Sequence, residues 1–364
     1  MAFGKNIKNV STLGIDLGAA AIKAVELRNE DNHVRLITYG IAELPETAPE
    51  RGAIQNKTEA VQHLRDLLQS AKTRATEVVA SLPSLNVFSA LIDLPAMPDK
   101  EIASAITWEA KKLLPLPVDK MSVDWHVIPE WMSPEKKTDE KQEKGKEVKK
   151  TMPIILTAAP KETINNYISI FKELDLTLIG LETEAAAFRR SLQPSNGDAF
   201  MVVDMGATTT NMIIFWHGVP ILSRHTDVGG ETIDRNIANT MNITAERAEQ
   251  FKLSIGLPES GEYSHPASKA IKFVIDNMLT QELKRLIYAF KKMNRGSISE
   301  IIITGGCARM KNFPAYLQQV LGINTTIANP WQRISYPTDL EEELMNIAPK
   351  MSIAAGLALK RTGR

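Results

Sequence analysis

Residues 12–27 read TLGIDLGAAAIKAVEL and residues 202–215 read VVDMGATTTNMIIF. Aligning Asp16 with Asp204 also aligns Gly18 with Gly206, at an offset of 188 residues. Each stretch is an apolar strand, an Asp-x-Gly followed by three small residues, and a second apolar strand, which is the pattern of a tight hairpin. Recurrence of that unit half a chain apart predicts two related α/β lobes. Small residues at a hairpin tip leave backbone N–H groups uncovered, and such groups can face a phosphate. An aspartate ending the first strand is placed to hold Mg²⁺ through water or to orient an attacking water. A single Asp-x-Gly is a common turn. Two on matching strands point to hairpins that meet one nucleotide from opposite sides.

Other segments fit between these anchors. Gly229 and Gly230 (DVGGETID, 227–234) allow close backbone approach before a helix expected near Glu231. Residues 301–306 (IIITGG) predict an apolar strand ending in Gly305 and Gly306, followed by an amphipathic helix over 314–321. Glu249 and Lys252 fall one helical turn apart and so share a face. Lys23 leaves the first hairpin two residues after its tip, within reach of a phosphate as a point charge. Taken singly, these read as a strand-to-helix turn, a βα turn, a surface ion pair and a solvated lysine. The paired hairpins give them a common centre.

Composition narrows the classes. The 364 residues hold 43 basic and 43 acidic side chains, so no excess positive charge argues for nucleic acid or for a membrane surface. Cys307 is the single cysteine, which excludes an intramolecular disulfide and suits a reducing compartment. No run of 18 apolar residues occurs, and no secretory signal is expected at the N-terminus. Residues 133–150 (SPEKKTDEKQEKGKEVKK) carry too little apolar surface to offset the entropy of ordering them. They predict a disordered charged loop inserted between two strands, at 121–131 and 152–159.

With the motifs in place, the chain resembles the actin, heat-shock-chaperone and sugar-kinase ATPase superfamily. Asp16, Gly18, Ala19, Ala20 and Ala21 resemble its phosphate-1 loop; Asp204, Gly206, Ala207, Thr208, Thr209 and Thr210 resemble its phosphate-2 loop. Residues 303–306 (ITGG) resemble the adenosine motif, and 182–188 (ETEAAAF) the connecting helix whose acidic or amide residue faces the catalytic water, here Glu182. Ala248, Glu249, Lys252 and Gly256 match a pattern shared with FtsA-like division proteins. Within the superfamily the chain is most similar to the PilM family of type IV pilus assembly. Residues 81–102 (SLPSLNVFSALIDLPAMPDKEI), 106–117 (ITWEAKKLLPLP), Phe3-Gly4-Lys5 and 354–359 (AAGLAL) carry that resemblance.

The resemblance implies an actin-like ATPase fold: two duplicated lobes around a nucleotide cleft, with an inserted FtsA-like (SHS2-type) subdomain. The expected divisions are 1–80 for the first part of lobe 1, 81–180 for the insertion, and 181–198 for the connecting helix. Lobe 2 is expected over 199–345, with a helix at 346–364 returning to lobe 1. The implied cofactors are ATP or ADP with Mg²⁺. Asp16 and Asp204 would hold the metal, the two tips the phosphates, Glu249, Lys252, Gly305 and Gly306 the adenosine, and Glu182 the water. Family loops usually place serine or threonine where this chain has Ala19–Ala21, so the expectation is binding with weak or no hydrolysis. The implied partners are the N-terminal peptide of PilN, other proteins of the pilus assembly platform and its motor ATPases. That peptide is expected near 82–97 and 108–116. The expected location is the cytoplasm, recruited to the inner-membrane face through a partner.

Two other readings use the same fold. A small-molecule kinase needs a general base and an acceptor pocket, and no surplus Asp, His or Arg cluster accompanies either hairpin. An FtsA-like filament protein needs an amphipathic membrane helix, and none is expected in 357–364 (LALKRTGR).

Overall fold

The computed structural model describes residues 10–30, 33–44, 57–128, 151–195, 197–258 and 265–361. Phe3-Gly4-Lys5 and the expected loop 133–150 lie outside the described residues. The first hairpin is β1 (Ser11–Leu17) and β2 (Ala21–Glu30), continued antiparallel by β3 (His33–Glu43). After α1 (Lys57–Ser70), β4 (Glu77–Leu82) lies parallel to β1. The chain then leaves this sheet. β5 (Phe88–Pro95), α2 (Asp99–Leu113), β6 (Met121–Val127) and β7 (Thr151–Pro160) build a separate antiparallel sheet of order β5-β7-β6. Ile102, Ile106 and Ala110 of α2 pack with Ile154 and Leu156 to form its core. Helix α3 (Lys161–Glu173) and β8 (Thr177–Thr183) rejoin the first sheet, whose order is β3-β2-β1-β4-β8.

Helix α4 (Glu184–Ser191) leads into the second lobe. There β9 (Ala199–Met205), β10 (Thr210–Trp216) and β11 (Val219–Thr226) repeat the antiparallel meander. Helices α5 (Gly230–Met241), α6 (Ala245–Ser254), α7 (Pro266–Val274) and α8 (Thr280–Lys292) follow. Next come β12 (Glu300–Thr304), α9 (Phe313–Leu321) and β13 (Asn324–Ile327), giving the order β11-β10-β9-β12-β13. The two sheets therefore have one topology, and the sequence repeat falls on the same hairpin of each.

Two expected boundaries move. Helix α3 falls within the range expected for the insertion, 81–180, yet Tyr167, Ile170 and Phe171 recur at helical spacing and enter the core of the first sheet with Leu13, Ile15 and Leu64. Only strands between Phe88 and Pro160 form the third sheet. The connecting helix, expected from 181, begins at Glu184, because Thr183 caps it by accepting the Ala186 N–H at 3.2 Å.

Helix α10 (Glu341–Ala358) joins the lobes. Pro349 within it has no N–H, so the Met345 carbonyl four residues back loses its usual donor. Arg309 Nη1 donates to that carbonyl instead, at 2.8 Å. The Pro349 carbonyl accepts from Gly305 N–H and Thr304 Oγ1 of the second lobe, at 3.2 and 2.7 Å. On the first lobe, Gly14 of β1 lets α10 come so close that a Cβ there would stand 2.1 Å from the Ala354 carbonyl oxygen. Gly356 does the same for α4, its Cβ position lying 2.1 Å from the Ala187 oxygen. Gly356→Val must therefore separate two packed helices. The expected loss is about 3 kcal/mol or more, read as a fall in the urea midpoint at unchanged slope. A variant unfolding at the wild-type midpoint would show that α10 and α4 are not held at this distance.

Candidate functional site

Both hairpins close with the same bond. Gly18 N–H donates to Ala21 O at 3.1 Å, and Gly206 N–H to Thr209 O at 2.9 Å. Asp16 pairs across its ladder with Lys23, and Asp204 with Asn211, so the 188-residue offset extends to Lys23 and Asn211. Asp16 is neutralised locally. Its Oδ1 accepts from Ser81 Oγ at 2.9 Å and its Oδ2 from Lys23 Nζ at 3.0 Å. Beside it stands Glu184, buried in the first turn of α4, whose Oε2 accepts from Ser84 Oγ and from Asn211 Nδ2, the latter at 2.8 Å. Ser84 follows β4 in the first lobe and Asn211 lies on β10 in the second, so Glu184 bridges the two.

One ammonium thus faces three carboxylates. Burial, then the charge of Asp204, pushes the Glu184 carboxyl up to about 8, although the Ser84 bonds oppose the rise. Burial pushes Asp204 up to about 7 against the pull of Lys23, with Asp16 adding to the rise. Burial disfavours charge on Lys23, but Asp16, Asp204 and Glu184 together outweigh it, so its pKa is raised. Among the described residues no three His, Cys, Asp or Glu side chains gather tightly enough to cage a metal. The arrangement still fits Mg²⁺, which keeps several waters and takes one or two carboxylates with substrate phosphates.

The far wall is assembled from the second lobe. Gly230 N–H and Glu231 N–H donate to Gly206 O and Ala207 O, both at 2.9 Å, which stitches the start of α5 to the second tip. Beneath Gly230 lie Cys307 Sγ and Lys252 Nζ, and Lys252 is held at 2.5 Å by Asp234 of α5. The thiol is pushed up to about 11 by burial, despite Lys252. Gly305 adopts φ +87°, and a Cβ on it would stand 2.7 Å from Asp204 Oδ1, so the turn after β12 meets the aspartate directly. A Cβ on Gly306 would meet nothing within 4 Å, leaving open room beside that turn. Glu249 is exposed at this rim.

Most of the anticipated residues come together here: Asp16, Gly18, Ala19–Ala21 and Lys23 on one side, Asp204, Gly206–Thr209, Gly229, Gly230, Lys252, Gly305 and Gly306 on the other. Two depart from expectation. Glu182 shares the sheet row of Asp16 and Ser81 but two strands away, about 10 Å, where Arg190 binds it and Lys360 Nζ lies 3.0 Å off. Glu184, rather than Glu182, stands beside Asp16 and Asp204. Thr210 is fully buried and donates its hydroxyl to Val228 O at 2.6 Å, so it offers nothing to a phosphate. Glu184, Asn211, Ser81, Ser84 and Asp234 were not anticipated. Two signals point to the first pair: the capping Thr183, which places Glu182 outside the helix, and the repeat offset, which maps Lys23 onto Asn211.

Among the described residues no helix is long and apolar enough to cross a membrane. Comparison with known proteins agrees with the architecture. A solved PilM-PilN type IV pilus biogenesis complex matches at TM-score 0.80 and 25% identity, covering 98% of this chain and 100% of that one. MreB5 of Spiroplasma citri bound to AMPPNP matches at TM-score 0.53 and 14% identity, over 97% and 96% of the two chains. The cell division protein FtsA of Bacillus subtilis (strain 168) is 22% identical over 350 residues, 87% of this chain and 78% of that protein. These likenesses make the fold that of the actin-like ATPases. The family model for the type IV pilus assembly protein PilM matches residues 14–362, and the chain belongs to that family.

Proposed function

We propose that this chain is a nucleotide-dependent scaffold of the type IV pilus assembly platform, binding the N-terminal peptide of PilN and reading Mg·ATP or Mg·ADP between its lobes. Family membership and likeness to a PilM-PilN complex support the pilus role and the partner. The observation that carries nucleotide reading is Glu184, which accepts from Ser84 of one lobe and Asn211 of the other beside both hairpin tips. A ligand there alters the charge balance that holds the lobes at their present angle.

In this reading the N–H groups of both tips hold the phosphates, Asp16 and Asp204 support a hydrated Mg²⁺, and Lys252 with the turn at Gly305 and Gly306 flanks the nucleoside. The metal, when bound, supplies positive charge against the phosphate oxygens. Hydrolysis is expected to be slow. Ala19, Ala20 and Ala21 add no hydroxyls. Exposed Leu85, Trp108, Leu113 and Leu116, in and around the inserted sheet, are the apolar side chains offered to the peptide. Contact with the membrane then runs through the partner.

The test is calorimetry of a synthetic PilN N-terminal peptide against the full chain, with and without Mg·ATP, for wild type and Glu184→Gln. The expected result is wild-type peptide affinity that shifts several-fold with nucleotide, and a shift that collapses in the variant. Equal affinity in both states would refute the tuning. Absence of peptide binding in either state would refute the scaffold.

A further inference from the structure

We propose that the first lobe carries a second anion site, distant from the hairpin tips, that takes a phosphoryl-bearing ligand. An open cleft of about 480 Å³ lies where β1 begins, lined by Arg28, Arg35, Lys72 and Arg74 against one lining carboxylate, Glu30. Arg28 sits opposite Ser11, five residues before Asp16, which is about 17 Å along the strand. The cleft is therefore separate from the nucleotide site.

The cations are not consumed by their surroundings. Glu30 is shared between Arg28 at 3.5 Å and Arg35 at 3.7 Å, both long contacts. Lys72 and Arg74 make no ion pair among the described residues. Glu26, fully buried, adds a further carboxylate, and its Oε2 accepts the Arg74 backbone N–H at 2.8 Å. With it included, four cations face two carboxylates among the described residues, in a chain whose totals balance at 43 each. A helix C-terminus attracts cations, and that accounts for Lys72 and Arg74 after α1. It does not account for Arg28 and Arg35, which stand on strands.

The walls are also fixed in advance. Thr38 Oγ1 on β3 donates to Ala71 O at 2.7 Å, and the Arg74 N–H bond to Glu26 on β2 ties down the other end of the same connection. Cations on a pinned frame bind without first being ordered. Guanidinium forks match the paired oxygens of a phosphoryl group. Such a group could come from a phospholipid headgroup or from a soluble polyphosphate, and an open cleft admits either.

The test uses the full chain with two probes: pyrophosphate by calorimetry, and flotation with phosphatidylglycerol/phosphatidylcholine vesicles against phosphatidylcholine alone. The variants are Arg35→Gln/Arg74→Gln and, as a control in the hairpin cleft, Lys23→Ala. The expected result is binding of at least one probe, weakened about tenfold or more in the double variant and persisting in Lys23→Ala. Vesicle binding alone identifies a headgroup; pyrophosphate binding alone identifies a soluble ligand. Arg35→Gln by itself, on an exposed strand position, should give a partial loss if the double variant fails to fold. Binding unchanged in the glutamine variants, binding lost only in Lys23→Ala, or no binding of either probe would each overturn the proposal.

Discussion

Asp204→Asn is expected to have two effects of opposite sign: a higher melting midpoint for the ligand-free protein at alkaline pH, and Mg·ATP binding weaker by roughly a hundredfold. Both follow from the same crowding. Asp204 and Glu184 are held in the folded state with carboxyl pKa values of about 7 and 8, so each ionises against burial and against its neighbours. Above those values the folded protein carries three carboxylates around the single ammonium of Lys23. An amide at 204 keeps the shape and removes one of the repelling charges, which relieves the folded state most where the carboxylate would be ionised. The same charge is what a hydrated Mg²⁺ needs beside the phosphates, and a hundredfold loss corresponds to about 2.7 kcal/mol. Glu182→Gln is the matched control. Its partners are Arg190 and Lys360, so it should loosen the end of α10 and leave nucleotide affinity within about twofold of wild type. An Asp204→Asn protein that melts lower than wild type at pH 9 and binds Mg·ATP normally would remove Asp204 from the site.

The legible parts of this molecule are those encoded by short local patterns. Asp16-Leu17-Gly18 and Asp204-Met205-Gly206 announce themselves because a tight hairpin next to a ligand admits few residue types, and a second copy tests the first. The duplicated sheet order follows from them. What was not legible depends on which of two adjacent choices the tertiary structure makes. Glu182 and Glu184 lie two residues apart at a strand-to-helix junction, and only the position of the cap decides which enters the cleft. Thr208, Thr209 and Thr210 read alike, but strand pleating turns Thr210 inward to Val228. Helix α3 looked like part of the insertion because it follows it in sequence; its Tyr167, Ile170 and Phe171 stripe has its match on the first sheet. The Lys252–Asp234 pair joins two helices, 18 residues apart in sequence, that neither periodicity nor motif brings together. Local chemistry was readable, whereas partner choice across elements required the packed structure.

Mg·nucleotide binding should release protons near neutral pH, and affinity should rise as pH is raised from about 6 to 8. In the ligand-free fold Asp204 and Glu184 hold their protons up to about 7 and 8, whereas unfolded carboxyls lose theirs near 4. Between those limits the folded state binds more protons than the unfolded one, so these two groups make stability fall as pH rises through 7 and 8. A divalent cation reverses the preference by stabilising both carboxylates, and the protons leave as it arrives. Affinity should then gain up to about tenfold per pH unit for each proton released. Calorimetry in two buffers of different ionisation enthalpy reads the number directly: between one and two protons at about pH 6.5, and close to none at about pH 9. Glu184→Gln should remove the contribution that persists to the higher pH and leave that of Asp204. Wild-type binding that is tight at pH 6.5 but independent of buffer ionisation would mean that neither carboxyl changes its charge with the ligand. The proposed coupling between nucleotide and lobe angle would then have to lie in the backbone of the hairpin tips, away from the Glu184 bridge.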